Sequence, residues 1–164
     1  MLRQHTCLLL SLCLLGLFVG CQKDEDLENL RVPRLMIEAR GVNYGSLTGT
    51  TAVLPLSGTQ IPLQSEPLVS EFEIANVELV KVDMGMALLI QLTERGARDL
   101  YRGSVSNNGG RVVLTVNGNP IGARRLGGAI EDGNFYTFVE VDDEELGQLV
   151  LDIKETLQAI QKKL

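Results

Sequence analysis

Beyond Cys21 the chain contains no cysteine, and beyond His5 no histidine. Whatever folds after residue 21 therefore has no disulfide and no cysteine-ligated zinc. It has no imidazole to serve as a base, a metal ligand or the middle member of a Ser-His-Asp triad. Tryptophan is absent and aromatic residues make up 4% of the chain, so Leu, Ile and Val must build the core. Basic clusters are scarce: the only adjacent pairs are Arg124-Arg125 and Lys162-Lys163. Net charge is −6, and loss of Arg3, the one charged residue among the first twenty, takes it to −7 (−6 − 1). Affinity for a phosphate backbone needs clustered Lys and Arg, so nucleic acid is not an expected partner.

What is present begins with a leader. "MLRQHTCLLLSLCLLGLFVGC" has a basic start at Arg3 and an apolar core from Cys7 to Val19. That core is shorter than the roughly twenty residues that span a bilayer and suits a signal peptide. It ends Phe18-Val19-Gly20-Cys21, which resembles the lipobox of bacterial lipoproteins; Phe18 stands where that pattern usually has Leu. The resemblance implies a signal peptide over 1–20 and lipid attachment at Cys21, with acyl chains as the membrane anchor. It places the protein in the bacterial cell envelope, and Gln22 favours the outer membrane over the inner. Residues 21–33 read as a lipidated, flexible, charged tether ending at Pro33.

Residues 34–164 read as one domain. A strand is expected over 34–42, then a Pro- and Gly-rich stretch with a short strand near Thr51–Leu56. Alternation from Phe72 to Asp83, a turn at Met84-Gly85-Met86 and "ALLIQLT" predict a hairpin. Thr93 is placed to cap a helix with Ala97, Leu100, Tyr101 and Ser104 on its apolar stripe, stopped by "NNGG" at 107–110. "RVVLTV" predicts a strand, and Asn117-Gly118 a two-residue hairpin turn into an interrupted strand. "NFYTFVEV" predicts another strand. The last helix has Asp142 and Glu145 spaced for a capping box, and a stripe of Leu146, Leu149, Val150, Ile153, Leu157 and Ile160. Its acids lie first and Lys162-Lys163 last, as the helix dipole favours. The fold class is α+β: a two-layer sandwich of a mainly antiparallel sheet with two helices on one face.

Over residues 66–160 the order of particular residues resembles the periplasmic head subdomain of SecD, the accessory subunit of bacterial protein export. The resemblance is carried by Thr93, Gly96 and Ala97, then Gly110 and Arg111, then Gly118, Pro120, Ile121 and Ala123. It continues through Gly128, Ile130, Gly133 and Phe135 to Glu144-Glu145. SecD has several transmembrane helices that couple proton flow to export, and no such run follows residue 160 here. The resemblance thus implies the fold and a capacity to touch extended polypeptide, without the transport drive and without catalytic residues.

No other chemistry is apparent. The acidic runs "KDEDLE" and "DDEE" suit a tether and a helix start, "GTTAVLPLSGT" lacks the Gly-Lys-Ser/Thr of a phosphate loop, and Ser104, Ser106 and Thr115 have no histidine to activate them. The expectation is a non-enzymatic lipoprotein with no cofactor and no metal, binding a protein or peptide in the envelope and linked to export. A structural spacer in an outer-membrane assembly is the alternative.

Overall fold

The structure is a computed structural model that describes residues 30–40 and 50–162. The leader, Cys21 and most of the expected tether lie outside the described residues, as does Lys163.

The hairpin anticipated from residue 72 is β4 (Ile74–Val82) with β5 (Gly85–Leu92), β5 pairing on its other side with β8 (Asn134–Thr137). Both pairings are antiparallel. Strand β1 (Pro33–Ile37) forms a second three-stranded antiparallel sheet with β6 (Arg111–Val116) and β7 (Asn119–Arg125), in the order β1-β6-β7. Asn117 and Gly118 make the β6–β7 turn at φ 51° and 80°, as their residue types require.

The third pairing was hidden by proline. β2 (Thr50–Val53) and β3 (Gln60–Leu63) form a two-stranded ribbon, with Pro62 inside β3. Proline is tolerated because only its carbonyl is used outward: Pro62 O accepts from Ala39 N at 2.8 Å. The ribbon packs Ala52, Leu54, Ile61 and Leu63 on Val113, Met36 and Ala123, covering one face of the β1-β6-β7 sheet. Because β6 is covered on both faces, it reads as a continuous apolar run rather than an alternation.

Helix α1 (Glu94–Ser106) starts as expected, with Thr93 Oγ1 accepting from Gly96 N at 3.3 Å. Its buried face differs from the expected stripe. Gly96, Leu100, Gly103 and Ser104 are inside, and Tyr101 is 44% exposed. The helix approaches the preceding chain so closely that its contact face is partly glycine. A Cβ on Gly96 would lie 2.7 Å from Glu73 O, and one on Gly103 would strike Leu68.

Helix α2 (Asp143–Gln161) buries Leu146, Val150, Ile153 and Leu157, as its periodicity indicates. The expected capping box does not form. Asp142 is at the N-cap but its side chain caps nothing, and Glu145 N bonds to the Asp142 backbone carbonyl at 2.9 Å. The acids of that first turn remain as charges near the positive end of the helix dipole. A capping box occurs instead at Ser70 and Glu73, around the 3-10 turn Glu71–Glu73 that leads into β4.

The last residues of the span expected as a tether, 30–33, are bonded into the fold. Pro33 opens β1, and the residues before it are bonded: Arg31 N to Thr156 Oγ1 at 2.8 Å and Val32 N to Asn117 Oδ1 at 2.8 Å. Asn117 Nδ2 in turn donates to Leu30 O at 2.7 Å. These contacts run through backbone groups, so a polar sequence can make them.

The α+β class and the antiparallel pairing hold, with the expected single sheet divided in two. The halves meet where the chain after β8 runs beside β7, with Glu140 N bonded to Ile121 O at 2.6 Å. One apolar cluster joins Leu35, Val112 and Leu114 of one sheet, Leu88, Ile90 and Phe135 of the other, Leu100 of α1 and Ile153 of α2.

Candidate functional site

In the β4-β5-β8 sheet, register and alternation assign the side chains to two faces. Leu88 and Ile90 with their partners Leu79, Val77, Thr137 and Phe135 turn toward the helices. Val80 with Ala87, and Leu89 with Tyr136, turn the other way. Ala87 and Leu89 are buried yet belong to neither apolar cluster. The helices cover the inward face of both sheets, and the β2-β3 ribbon covers the outer face of the β1-β6-β7 half. The outer face of the β4-β5-β8 half is open only in part: Ala87 and Leu89 at its centre are buried and Val80 half-buried, while Tyr136 is exposed.

That face is amphipathic along the strands. At one end Asn76 Nδ2 donates to Glu78 Oε1 at 3.0 Å and to Gln91 Oε1 at 2.9 Å. At the other end is a cavity of about 450 Å³ lined by Val82, Ala87, Ala123, Tyr136 and Phe138, with Arg124 and Arg125 beside it. Tyr136 is 39% and Phe138 44% exposed, and Met84 and Met86 at the β4–β5 turn are exposed as well. Arg124 Nη1 donates to Tyr136 O at 3.3 Å, and its guanidinium lies 5.8 Å from the centre of the Phe135 ring. An apolar cavity with a few polar groups at its rim can take side chains of a bound segment. β4 is an outer strand of its sheet, pairing with β5 alone among the described strands, and a sheet edge is where an extended segment can add as a further strand.

The site's wall toward β7 is fixed by Glu140. Its Oε2 accepts from Leu56 N and Ser57 N, each at 2.8 Å, tying the ribbon's turn to the chain that follows Phe138. Burial pushes the Glu140 carboxyl up, and the hydrogen bonds from Ser57 and Leu56 together outweigh it, leaving it below its ordinary value.

Of the residues considered from sequence, Cys21 lies outside the described residues. Ser104 is fully buried, donating to Tyr101 O at 2.8 Å and accepting from Ile130 N at 2.9 Å, which is a structural role. Thr115 is buried in β6. Among the described residues no group of three or more His, Cys, Asp or Glu is placed to hold a metal, and no helix is long and apolar enough to cross a membrane. The partly open face was not anticipated. Its signal was the run "ALLI" at 87–90, with apolar residues on both faces of β5, and the alternating Tyr136 and Phe138.

Solved structures are similar to this one. A super-membrane-facing form of SecDF superposes with a TM-score of 0.58 at 19% identity, over 76% of this chain and 18% of that one. The domain has a SecDF-like fold. A second SecDF structure, described as a membrane component that enhances protein export, gives 0.57 at 20% identity, over 84% of this chain and 70% of that one. SecDF from Thermus thermophilus, described as translocon-associated, gives 0.50 at 18% identity, over 80% and 20%. This chain thus spans less than a fifth of the first SecDF chain it matches. No family model and no curated protein matches the sequence.

The SecDF-like fold accounts physically for residues on which the SecD resemblance rests. Gly96 lets α1 approach Glu73, Gly118 supplies a turn at positive φ, and Gly133 at φ 69° passes 3.0 Å, as a hypothetical Cβ, from Ala97 Cβ.

Proposed function

We propose that this protein is a bacterial envelope lipoprotein, anchored through acylated Cys21, whose SecDF-like domain binds extended polypeptide without catalysing a reaction. The observation that supports it is the partly open apolar face of β4-β5-β8, where Tyr136 and Phe138 are exposed beside an apolar cavity. A link to protein export follows from the fold likeness, because one of the similar structures is of a protein that enhances export. Outer-membrane location and the acyl anchor rest on the leader sequence.

The test uses the full chain in neutral detergent and a permanently unfolded probe, reduced and carboxymethylated α-lactalbumin, followed by fluorescence anisotropy. Tyr136→Ser combined with Phe138→Ser is expected to weaken binding about tenfold or more, as loss of buried aromatic anchors does. Leu151→Ser removes an exposed apolar residue of α2 and serves as the control. Equal binding by all three proteins, or none by the unmodified chain, would favour the spacer reading. Incorporation of labelled palmitate, lost in Cys21→Ser, tests the anchor separately.

A further inference from the structure

Most arginines in the described residues are matched by acids. Arg31, Arg34, Arg95, Arg98, Arg102 and Arg111 each lie within 4.0 Å of an Asp or Glu oxygen. Arg40, Arg124 and Arg125 have no such partner among the described residues. Two of these three, Arg40 and Arg125, converge with Arg111 on one cavity of about 380 Å³, together with Glu38 and Gly109. In a chain of net charge −6 this is a local excess of positive charge.

The cluster is built by the sheet. Arg111 and Arg125 are directly opposed in the β6–β7 register, and Glu38 continues the same row at the end of β1, its backbone N bonded to Arg111 O at 2.9 Å. Like charges directly opposite in a sheet destabilise it. Glu38 offsets one of them, its carboxylate receiving Arg111 Nη2 at 2.6 Å and Nε at 3.1 Å. Among the described residues Arg40 and Arg125 have no acidic partner here, which leaves their two positive charges. The remaining two side chains are oriented by carbonyls: Arg40 Nη1 donates to Asn108 O at 2.8 Å and Arg125 Nε to Gly109 O at 3.1 Å. Each of these uses one nitrogen and leaves other N–H donors of the same guanidinium without a partner among the described residues. Gly110 makes room for this, since a Cβ there would lie 2.9 Å from Arg40 Nε and Nη2.

We infer that the Arg40–Arg111–Arg125 cavity at the end of the β1-β6-β7 sheet is a binding site for a phosphate-type oxyanion. Guanidiniums pair with phosphate through paired N–H donors. Three of them, two from the paired strands β6 and β7 and one from the chain after β1, suit a tetrahedral, doubly charged group better than a planar carboxylate, and the two positive charges without an acidic partner among the described residues match its charge. The cavity is separate from the apolar sheet face, although Arg125 borders both. It also lies at the opposite end of β6 from the Asn117 turn, to which Leu30 and Val32 are bonded. The phosphate could be free or carried on a lipid headgroup, and the test separates the two.

The full chain in neutral detergent is titrated calorimetrically with inorganic phosphate and, separately, with dihexanoylphosphatidic acid, a short-chain lipid whose headgroup is a phosphomonoester. Binding of phosphate with no tighter binding of the lipid identifies a free anion; tighter binding of the lipid identifies a headgroup. Either must weaken about tenfold or more in Arg40→Gln combined with Arg125→Gln and stay unchanged in Arg98→Gln, whose side chain pairs with Glu94 on α1. Gly110→Ala, which displaces Arg40 while keeping its charge, is expected to weaken binding as well. Absence of binding by both ligands, or binding indifferent to the paired substitution in a protein of unchanged melting temperature, overturns the site.

Discussion

Single side chains tie distant parts of this chain together, and carboxylates do much of it. Glu38 grips Arg111, Glu71 grips Arg34 at 2.6 and 2.8 Å, and Glu140 takes two backbone N–H groups of the ribbon turn. The hydrogen bond from Arg111 holds the Glu38 carboxyl below its ordinary value against the opposing effect of burial, and Arg34 does the same for Glu71. Groups with lowered folded pKa bind protons more readily when unfolded. Their stabilisation is therefore complete above the unfolded carboxylate value of about 4.3 and lost as pH falls through the lower folded values. Denaturant midpoints should hold from pH 7 to about 5 and drop below about 4; a midpoint that stays level to pH 3 would contradict this. Glu140→Gln is expected to cost about 1 kcal/mol and to speed hydrogen exchange at Leu56 and Ser57 before any other amides. Asn117 does two jobs, holding positive φ and bonding Val32 and Leu30. Asn117→Gly should keep the turn and lose the bonds, costing about 1 kcal/mol, while Asn117→Ala should lose both and cost more; thermal melts of the two variants compare them.

Elements were legible in the sequence where local rules decide them. The β4–β5 hairpin, the Thr93 cap, the Asn-Gly turn and the α2 stripe each depend on residues within one or two turns of each other, and each is found. What failed depends on distant partners. β3 was obscured by Pro62, because a proline is excluded only from the bonded side of a strand, and which side that is depends on β1. The α1 stripe was misassigned at Tyr101 because glycine carries no hydropathy signal, yet Gly96 and Gly103 form the contact. β8 stops at Thr137, since the chain there leaves β5 to run beside β7. That junction makes its own prediction. A Cβ on Gly122 would collide with Phe138 O and lie 3.0 Å from Val139 Cα, so backbone must move to admit it. Gly122→Ala should cost about 1–3 kcal/mol by overpacking and weaken the Glu140–Ile121 contact; a fully stable variant would show that the two sheets are not held together there.

For the whole molecule, coverage decides where function can reside. Helices lie on one side, the ribbon covers half of the other, and the partly open half is the proposed binding face. From sequence the helix-on-sheet packing was clear and the added β2-β3 ribbon was not, because an apolar residue facing outward reads like one facing in. If Tyr136 and Phe138 serve binding rather than packing, replacing both with serine should change the melting temperature by no more than a few degrees while weakening capture of unfolded probe about tenfold or more; a large loss of stability would assign them to the core. Charge is also distributed along the molecule. Acids Glu144, Glu145 and Asp152 line a groove at the Asn117 end of β6, and the arginine cavity lies at the other end.

The bonds from Asn117 and Thr156 to residues 30–32 have a mechanical meaning. A pull applied at Leu30 reaches β1 at its hairpin end. Pulled along its own axis, β1 must slide past β6 with all five register pairs loaded together, rather than peel away one pair at a time. A domain attached in this way resists a steady pull from its N-terminal side, and the two Asn117 hydrogen bonds would be among the first to break.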